Sequence, residues 1–275
     1  MKVRVYSDLH LDSYVSNGSH ILWYPPELPN DLETILILAG DIWIGTNFIQ
    51  YANDSWLENV AKRFKQLLIV LGNHDYWPSN RNLTIQSGAK KCNDLIKELG
   101  IKNATVLDRD IYIDGDILFV GCTLWTDMNN ANPLAMYNMS HFMRYDGKIT
   151  FDTDEHGWVR FTSEKWIQTH YKHRDYLKII CEQNRDKKIV VITHHMPLIQ
   201  LCDPNYVGDI SNCYYYSDLS NLILDNPHIK MWVYGHTHHQ QEVMFEETLM
   251  INNCVGYASQ NFELSGLVKH KVIEI

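Results

Sequence analysis

Asp, Asn and His recur in five short groups: Asp8-x-His10, Gly40-Asp41, Gly72-Asn73-His74-Asp75, Thr193-His194-His195 and Gly235-His236-x-His238-His239. Each offers carboxylate, carbonyl or imidazole donors, and none offers a thiol. Asp8 and His10, or His236 and His238, are two residues apart, so in an extended chain each pair faces one side and can reach one ion. The carboxylate of Asp41 has two oxygens and can bridge two cations, while Asn73 adds a neutral carbonyl oxygen. Such mixed sets suit Mn²⁺, Fe, Zn²⁺ or Ni²⁺ better than Ca²⁺ or Cu(I). Asn and Asp after glycine are also ordinary turn residues, but unrelated turns would scatter Ser, Pro and Lys among these positions.

All five groups follow an apolar run, at 3–6, 35–39, 67–71, 189–192 and 231–234. Short apolar runs closed by turn residues read as buried strands. In open α/β sheets, ligands collect beyond the carboxyl ends of the strands, where these five groups fall.

In this order the motifs resemble the calcineurin-like metallophosphoesterases, over nearly the whole chain from Asp8 to His238. The resemblance implies an α/β fold, a four-layer αββα sandwich of two mixed β-sheets flanked by helices. It implies two divalent metal ions, the first on Asp8, His10, Asp41 and His238, the second on Asp41, Asn73, His194 and His236. Mn²⁺ is the expected ion, with Fe, Zn²⁺ or Ni²⁺ as alternatives. His194 is taken over His195 because the family's ligand ends the strand and continues as His-x-x-Pro, here His194-His195-Met196-Pro197. A metal-bridging hydroxide would attack phosphorus, and His74 would protonate the leaving oxygen as general acid. In the phosphoprotein-phosphatase branch, Gly-Asp leads to a second Asp and an Arg. Here Gly40-Asp41-Ile42-Trp43-Ile44-Gly45 places Ile44 where the second acid would stand. A protein Ser/Thr phosphatase is therefore disfavoured, and Thr123-Leu124-Trp125-Thr126-Asp127 with Ser217-Asp218-Leu219 resembles a bacterial or phage-type branch, for which the resemblance supplies no substrate.

The expected activity is hydrolysis of a phosphomonoester or phosphodiester, on a small phosphorylated molecule or nucleotide. A nuclease of the same fold and a non-catalytic metal-binding scaffold are the alternatives. The formal charge of −9 argues against a nucleic-acid-coating protein, and no dedicated nucleic-acid module is evident. A scaffold would be expected to have lost a ligand or the acid. At 275 residues, one domain spanning 1–275 is expected. None of the six cysteines forms a C-x-x-C pair, which reads as buried thiols of a reducing compartment. No signal-peptide pattern or membrane-length apolar run is seen, so a soluble cytoplasmic protein is expected.

The intervening segments predict the surroundings. Segment 11–34, with Asn17-Gly18, reads as part of the rim. Helices are expected at 55–66, from Ser55 and Glu58 as a capping box, and at 87–99, ending at Gly100. Asp114-Gly115 predicts a hairpin over 111–120. Segment 122–161 reads as an irregular substrate-rim insertion. A helix over 162–184 carries His170 and His173 on one side with Trp166, Leu177 and Ile180, read as a plain helix face rather than a metal pair because no carboxylate recurs with them. A short helix spans 217–224, and 249–251 with 267–273 read as a closing pair of strands. Trp125, Arg144, Arg160 and Tyr216 are the expected substrate contacts.

Overall fold

The computed structural model describes residues 1–16, 22–51, 55–78, 83–153, 157–260 and 268–275. The Asn17-Gly18 turn and Leu267 lie outside the described residues. In chain order the strands are β1 (Lys2–Tyr6), β2 (Thr34–Ala39), β3 (Gln66–Val70), β4 (Ala104–Val106), β5 (Asp110–Asp114), β6 (Ile117–Cys122), β7 (Thr150–Thr153), β8 (Gly157–Arg160), β9 (Lys188–Thr193), β10 (Ile229–Val233), β11 (Gln241–Phe245), β12 (Thr248–Asn252) and β13 (Ile273–Glu274). One sheet has the order β13-β1-β2-β3-β4 and the other β11-β12-β10-β9-β6-β5. Both are mixed: β1 to β4 run parallel with an antiparallel β13, and β12, β10, β9 and β6 run parallel between antiparallel edges.

Alternation along each strand explains the layers. Val3, Val5, Ile35, Ile37, Leu68 and Val70 of the first sheet meet Phe119, Val190, Ile192, Met231 and Val233 of the second in a core between the sheets. The residues in between, Leu36, Leu38, Leu67 and Ile69, face outward onto the helices Trp56–Ala61 and Gly88–Glu98. Across the molecule, Val191 and Trp232 face Leu177 and Cys181 of the helix Ser163–Gln183 and Leu222 and Ile223 of the helix Ser220–Leu224. Both faces of each sheet are covered, so the parallel strands read as continuous apolar runs. The result is the four-layer α/β arrangement, α-β-β-α. Ile192, fully buried between the sheets, illustrates the stakes: truncation of such a residue to Ala costs about 2–5 kcal/mol.

Local chemistry accounts for several boundaries. The Ser55 hydroxyl accepts the Glu58 N–H at 3.0 Å and starts the helix Trp56–Ala61, which stops short of 66, although Phe64 stays buried. The hairpin joining β5 and β6 turns at Gly115-Asp116, with Gly115 at φ 64°. The last helix begins at Ser220 instead of 217. Among the described residues, Leu249-Met250-Ile251 and the C-terminal segment do not pair with each other: β12 joins the second sheet, and of residues 268–275 only Ile273–Glu274 forms a strand, against β1 of the first.

Segment 122–161 is more regular than its composition suggests. The Asn132 side chain accepts the N–H groups of Leu134 and Ala135 at 2.9 and 3.2 Å, and Pro133 opens a helix to Phe142. β7 and β8 form a small hairpin. Met128, Asn129, Asn130 and Ala131 all have φ between 51° and 57°, a single left-handed turn closed by Ala131 N–H to Asp127 O at 2.7 Å. Asn tolerates this conformation, whereas Met and Ala are held there at a cost of about 1–2 kcal/mol each.

None of the described residues of segment 11–34 lines the cleft above the strand ends, and residues 22–31 pack elsewhere. Arg4 donates to Pro26 O and Asp31, and Arg63 donates to Pro25 O, Pro26 O and Asp31. These bonds, with buried Trp23 against Tyr6, hold the segment on the outer face. Among the described residues, no helix is long and apolar enough to cross a membrane. All six cysteines are buried thiols.

Candidate active site

The parallel register aligns the strand ends. Tyr6 is opposite Leu38 and Ala39 opposite Val70, so Asp8, Asp41 and Asn73 emerge together from the first sheet. Ile192 is opposite Val233, so His194, His236 and His238 emerge together from the second. The two sets meet over the seam between the sheets. Reaching one point from five strands strains the backbone: Asp8, His10, Asp41, His236 and His238 all have positive φ, from 41° to 70°. Such angles in non-glycine residues persist where the surroundings over-determine them, and they concentrate at functional sites. The approach also requires glycine: a Cβ on Gly72 would collide with Asp41, and one on Gly40 with the His194 ring.

Among the described residues, three groups of donor atoms could hold a cation: Asp8 with His10 and His238, His10 with Asp41 and His74, and Asp41 with His194 and His236. The Nε2 atoms of His10 and His238 face each other at 3.0 Å, with His238 Nε2 3.5 Å from Asp8 Oδ1 and His10 Nε2 3.8 Å from Asp41 Oδ2. On the other side, His194 Nε2 lies 3.3 Å from Asp41 Oδ1 and 3.0 Å from Asn73 Oδ1. The structure thus places one carboxylate, Asp41, between the two sets of imidazoles.

The donor set fits divalent cations. His194 Nδ1 meets Ala39 O at 2.9 Å, which assigns the ring proton there and leaves the Nε2 lone pair facing the site. His238 Nδ1 meets Gln260 Oε1 at 3.1 Å with the same consequence. His236 Nε2 is buried with no hydrogen-bond partner, a state that carries a desolvation penalty unless something occupies it. Burial pushes His10 down to about 3, so it is the neutral donor a metal needs. Burial would lower His194 too, but the Asp41 carboxylate beside it, with Asp8 beyond, raises it to about 9. The carboxylates thus favour positive charge at His194 Nε2, the position a cation would take in place of a proton.

His194 and His195 diverge. His195 turns away, its Nδ1 3.2 Å from Thr123 O and its ring packed on Trp125 and His236. His239 is half-buried, 3.6 Å from Asp203. His74 sits at the edge, 12% exposed on its side chain and so open to a substrate, with Nε2 3.9 Å from Asp41 Oδ2. Its backbone N–H donates to Asp41 Oδ1 at 2.9 Å, its ring stacks on Trp77 at 3.4 Å, and the Tyr257 hydroxyl lies 3.5 Å from its Nε2. Tyr257 also stacks on His10 at 4.0 Å. These contacts orient His74 where Ile44 offers no acid. Burial pulls its imidazole down to about 4, while Asp41 pulls the other way.

Two acids in the site escape sequence reasoning. Asp75 accepts four backbone N–H groups, from Asp41, Ile42, Trp43 and Gly72, at 2.7–3.0 Å, and so ties the two loops together. Asp146, from the 122–161 segment, accepts from Asn73 Nδ2 at 3.0 Å and Trp77 Nε1 at 2.7 Å. The Asn-His-Asp spacing hinted at the first, but no local pattern marks the second.

A cleft of about 540 Å³ opens over these groups, lined by Trp77, Arg144, Tyr145, Tyr206, Tyr215 and Tyr257 among others. Arg144 is the one Lys or Arg among its described lining residues. The other expected contacts lie elsewhere. Trp125 is fully buried against Phe161 and Trp166. Arg160 is exposed on β8 outside the cleft. Tyr216 packs on the second sheet's outer core, and its neighbour Tyr215 faces the cleft, with its ring 4.6 Å from His236. Tyr215 closes the turn Ile210–Tyr214 in a helical conformation, and the chain becomes extended only at Tyr216, which pairs with Met196. His170 and His173 hold the strained Leu124 backbone, each through Nδ1 at 3.1 Å.

The sequence profile described as Calcineurin-like phosphoesterase matches residues 1–240, and the chain belongs to this family of metal-dependent phosphoric ester hydrolases. It is similar to an uncharacterized protein of Acanthamoeba polyphaga mimivirus, 25% identical over 271 residues, covering 94% of this chain and 92% of that one. Among solved structures it is similar in fold to the phosphopantetheinyl hydrolase PptH of Mycobacterium tuberculosis, with TM-score 0.64 and 18% identity over 96% of this chain and 92% of that one.

Proposed function

We propose that the chain hydrolyses small phosphoesters, using two divalent cations that share Asp41, with His74 as the proton donor. The observation that carries this reading is the position of Asp41 between the Asp8, His10, His238 set and the Asn73, His194, His236 set, with His74 alongside. Asp8, His10, Asp41 and His238 would hold one ion, and Asp41, Asn73, His194 and His236 the other. Bound divalent cations supply an acidified water and neutralise charge on phosphoryl oxygens.

The residues of the chain do the rest. Trp77 and Tyr257 hold the His74 ring at the edge of the cleft, where Nε2 can reach a leaving oxygen. An arriving phosphoester brings negative charge beside the imidazole and acts in the same sense as Asp41, favouring the proton. Arg144 on the rim is suited to an oxygen of the phosphate, and the surrounding aromatic rings to an organic group attached to it. A nucleotide is one small phosphorylated molecule of this kind.

The test is hydrolysis of p-nitrophenyl phosphate and bis-p-nitrophenyl phosphate with Mn²⁺, before and after chelation. Turnover that stops on chelation and returns with Mn²⁺ is expected, and full turnover by metal-free protein would overturn the mechanism. The ratio of the two rates separates monoesterase from diesterase.

A further inference from the structure

Asp146 lies 73 residues from Asn73 in the chain and is 2% exposed. It enters the site from a short turn, Asp146–Lys148, at the end of the insertion's helical part. One of its oxygens, Oδ1, receives both the Asn73 amide N–H and the Trp77 indole N–H. A carboxylate accepts and cannot donate, so the amide must turn its nitrogen toward Asp146. Its oxygen is then left facing His194 Nε2 at 3.0 Å, on the side of Asp41. With the amide reversed, two oxygens would face each other in a buried place. The indole on the same oxygen is the ring on which His74 stacks.

We propose that Asp146 is a positioning residue that selects the metal-facing orientation of Asn73 and fixes the Trp77 platform under His74. The inference rests on the two-cation reading above. It gives the insertion a role beneath the cleft floor as well as at its rim. It also gives this chain a means of fixing the acid that differs from a second Asp after Gly40-Asp41.

The experiment is Mn²⁺ titration by calorimetry on wild type, Asp146→Leu and Asp146→Asn, with His10→Ala and Asn73→Ala marking the two sites. Asp146→Leu should weaken the Asn73-marked site by about 10–100-fold, the usual range for losing a partner of a metal ligand. The His10-marked site should stay within about threefold, a split that general loosening of the fold would not produce. Asp146→Asn keeps an acceptor oxygen but no longer forbids the reversed amide, so it should fall between, about tenfold weaker at the same site. An unchanged isotherm for Asp146→Leu, or equal weakening of both sites, overturns the proposal. Should Asp146→Leu not fold, an Asp146→Asn isotherm identical to wild type overturns it. Absence of Mn²⁺ binding by the wild-type chain would overturn the two-cation reading itself.

Discussion

The strand ends and the 122–161 insertion build the same cleft by opposite means. At the strand ends, position follows from the sheets: each donor is within five residues of the end of a buried strand, and parallel register brings the strands' ends together. In the insertion, position follows from particular contacts: an Asn132 cap, a left-handed turn, and Asp146 reaching under Trp77. The first arrangement is stiff because moving a donor means moving a strand packed on both faces. The second depends on few bonds, so single substitutions can tune it. Under the proposed function, chemistry falls to the strand ends and choice of substrate to the insertion together with the loops that carry Tyr206, Tyr215 and Tyr257.

The sharpest way to break this division is Asp41→Asn, which touches both proposed ions and removes a negative charge between them. Loss of both ions and of measurable turnover is expected, and metal analysis showing wild-type occupancy would refute the shared ligand. Next is His74→Asn. An alkyl leaving group needs the proton, whereas p-nitrophenolate does not, so about 10²–10⁴-fold should be lost on an alkyl phosphoester and far less on the nitrophenyl ester. Equal losses on both would reduce His74 to a phosphate-positioning role. The adjacent histidines form a pair of controls: His194→Ala should lose one ion, while His195→Ala should melt at lower temperature yet keep both. Metal loss in His195→Ala alone would reverse the assignment. In the insertion, Arg144→Ala should raise KM several-fold with little change in kcat, and an unchanged KM would take Arg144 off the substrate. The smallest effect expected is from Asn132→Ala, about 1 kcal/mol of stability through loss of the cap, read from denaturant unfolding.

What could be read from the sequence follows the same line. The strands and their terminal donors are local patterns: an apolar run, a glycine, then Asp, Asn or His. Trp125 misled because an aromatic residue in a polar stretch resembles a rim contact, whereas it fills a core shared with Phe161 and Trp166. Tyr216 missed the cleft by one residue because Tyr214 and Tyr215 lie in a tight helical turn, and nothing local says which of three tyrosines points in. The helix Pro133–Phe142 had a signal in Asn132-Pro133, outweighed by the polar composition around it. Asp146, between Tyr145 and Gly147, has the local look of a turn aspartate; only the packing of the insertion onto Trp77 gives it partners.

The seam location of the cleft has a thermodynamic consequence. Asp8, His10, Asp41 and Asn73 leave one sheet, and His194, His236 and His238 leave the other, so anything bound to both sets fastens the sheets together like a clasp. An unfolded chain scatters these residues from position 8 to position 238 and cannot form the clasp. Mass action then lends the folded state about 2.7 kcal/mol when the bound species is present at a hundred times its Kd. Resistance to unfolding would then depend on the concentration of the occupant, and the protein's lifetime would be coupled to the supply of its own cofactor.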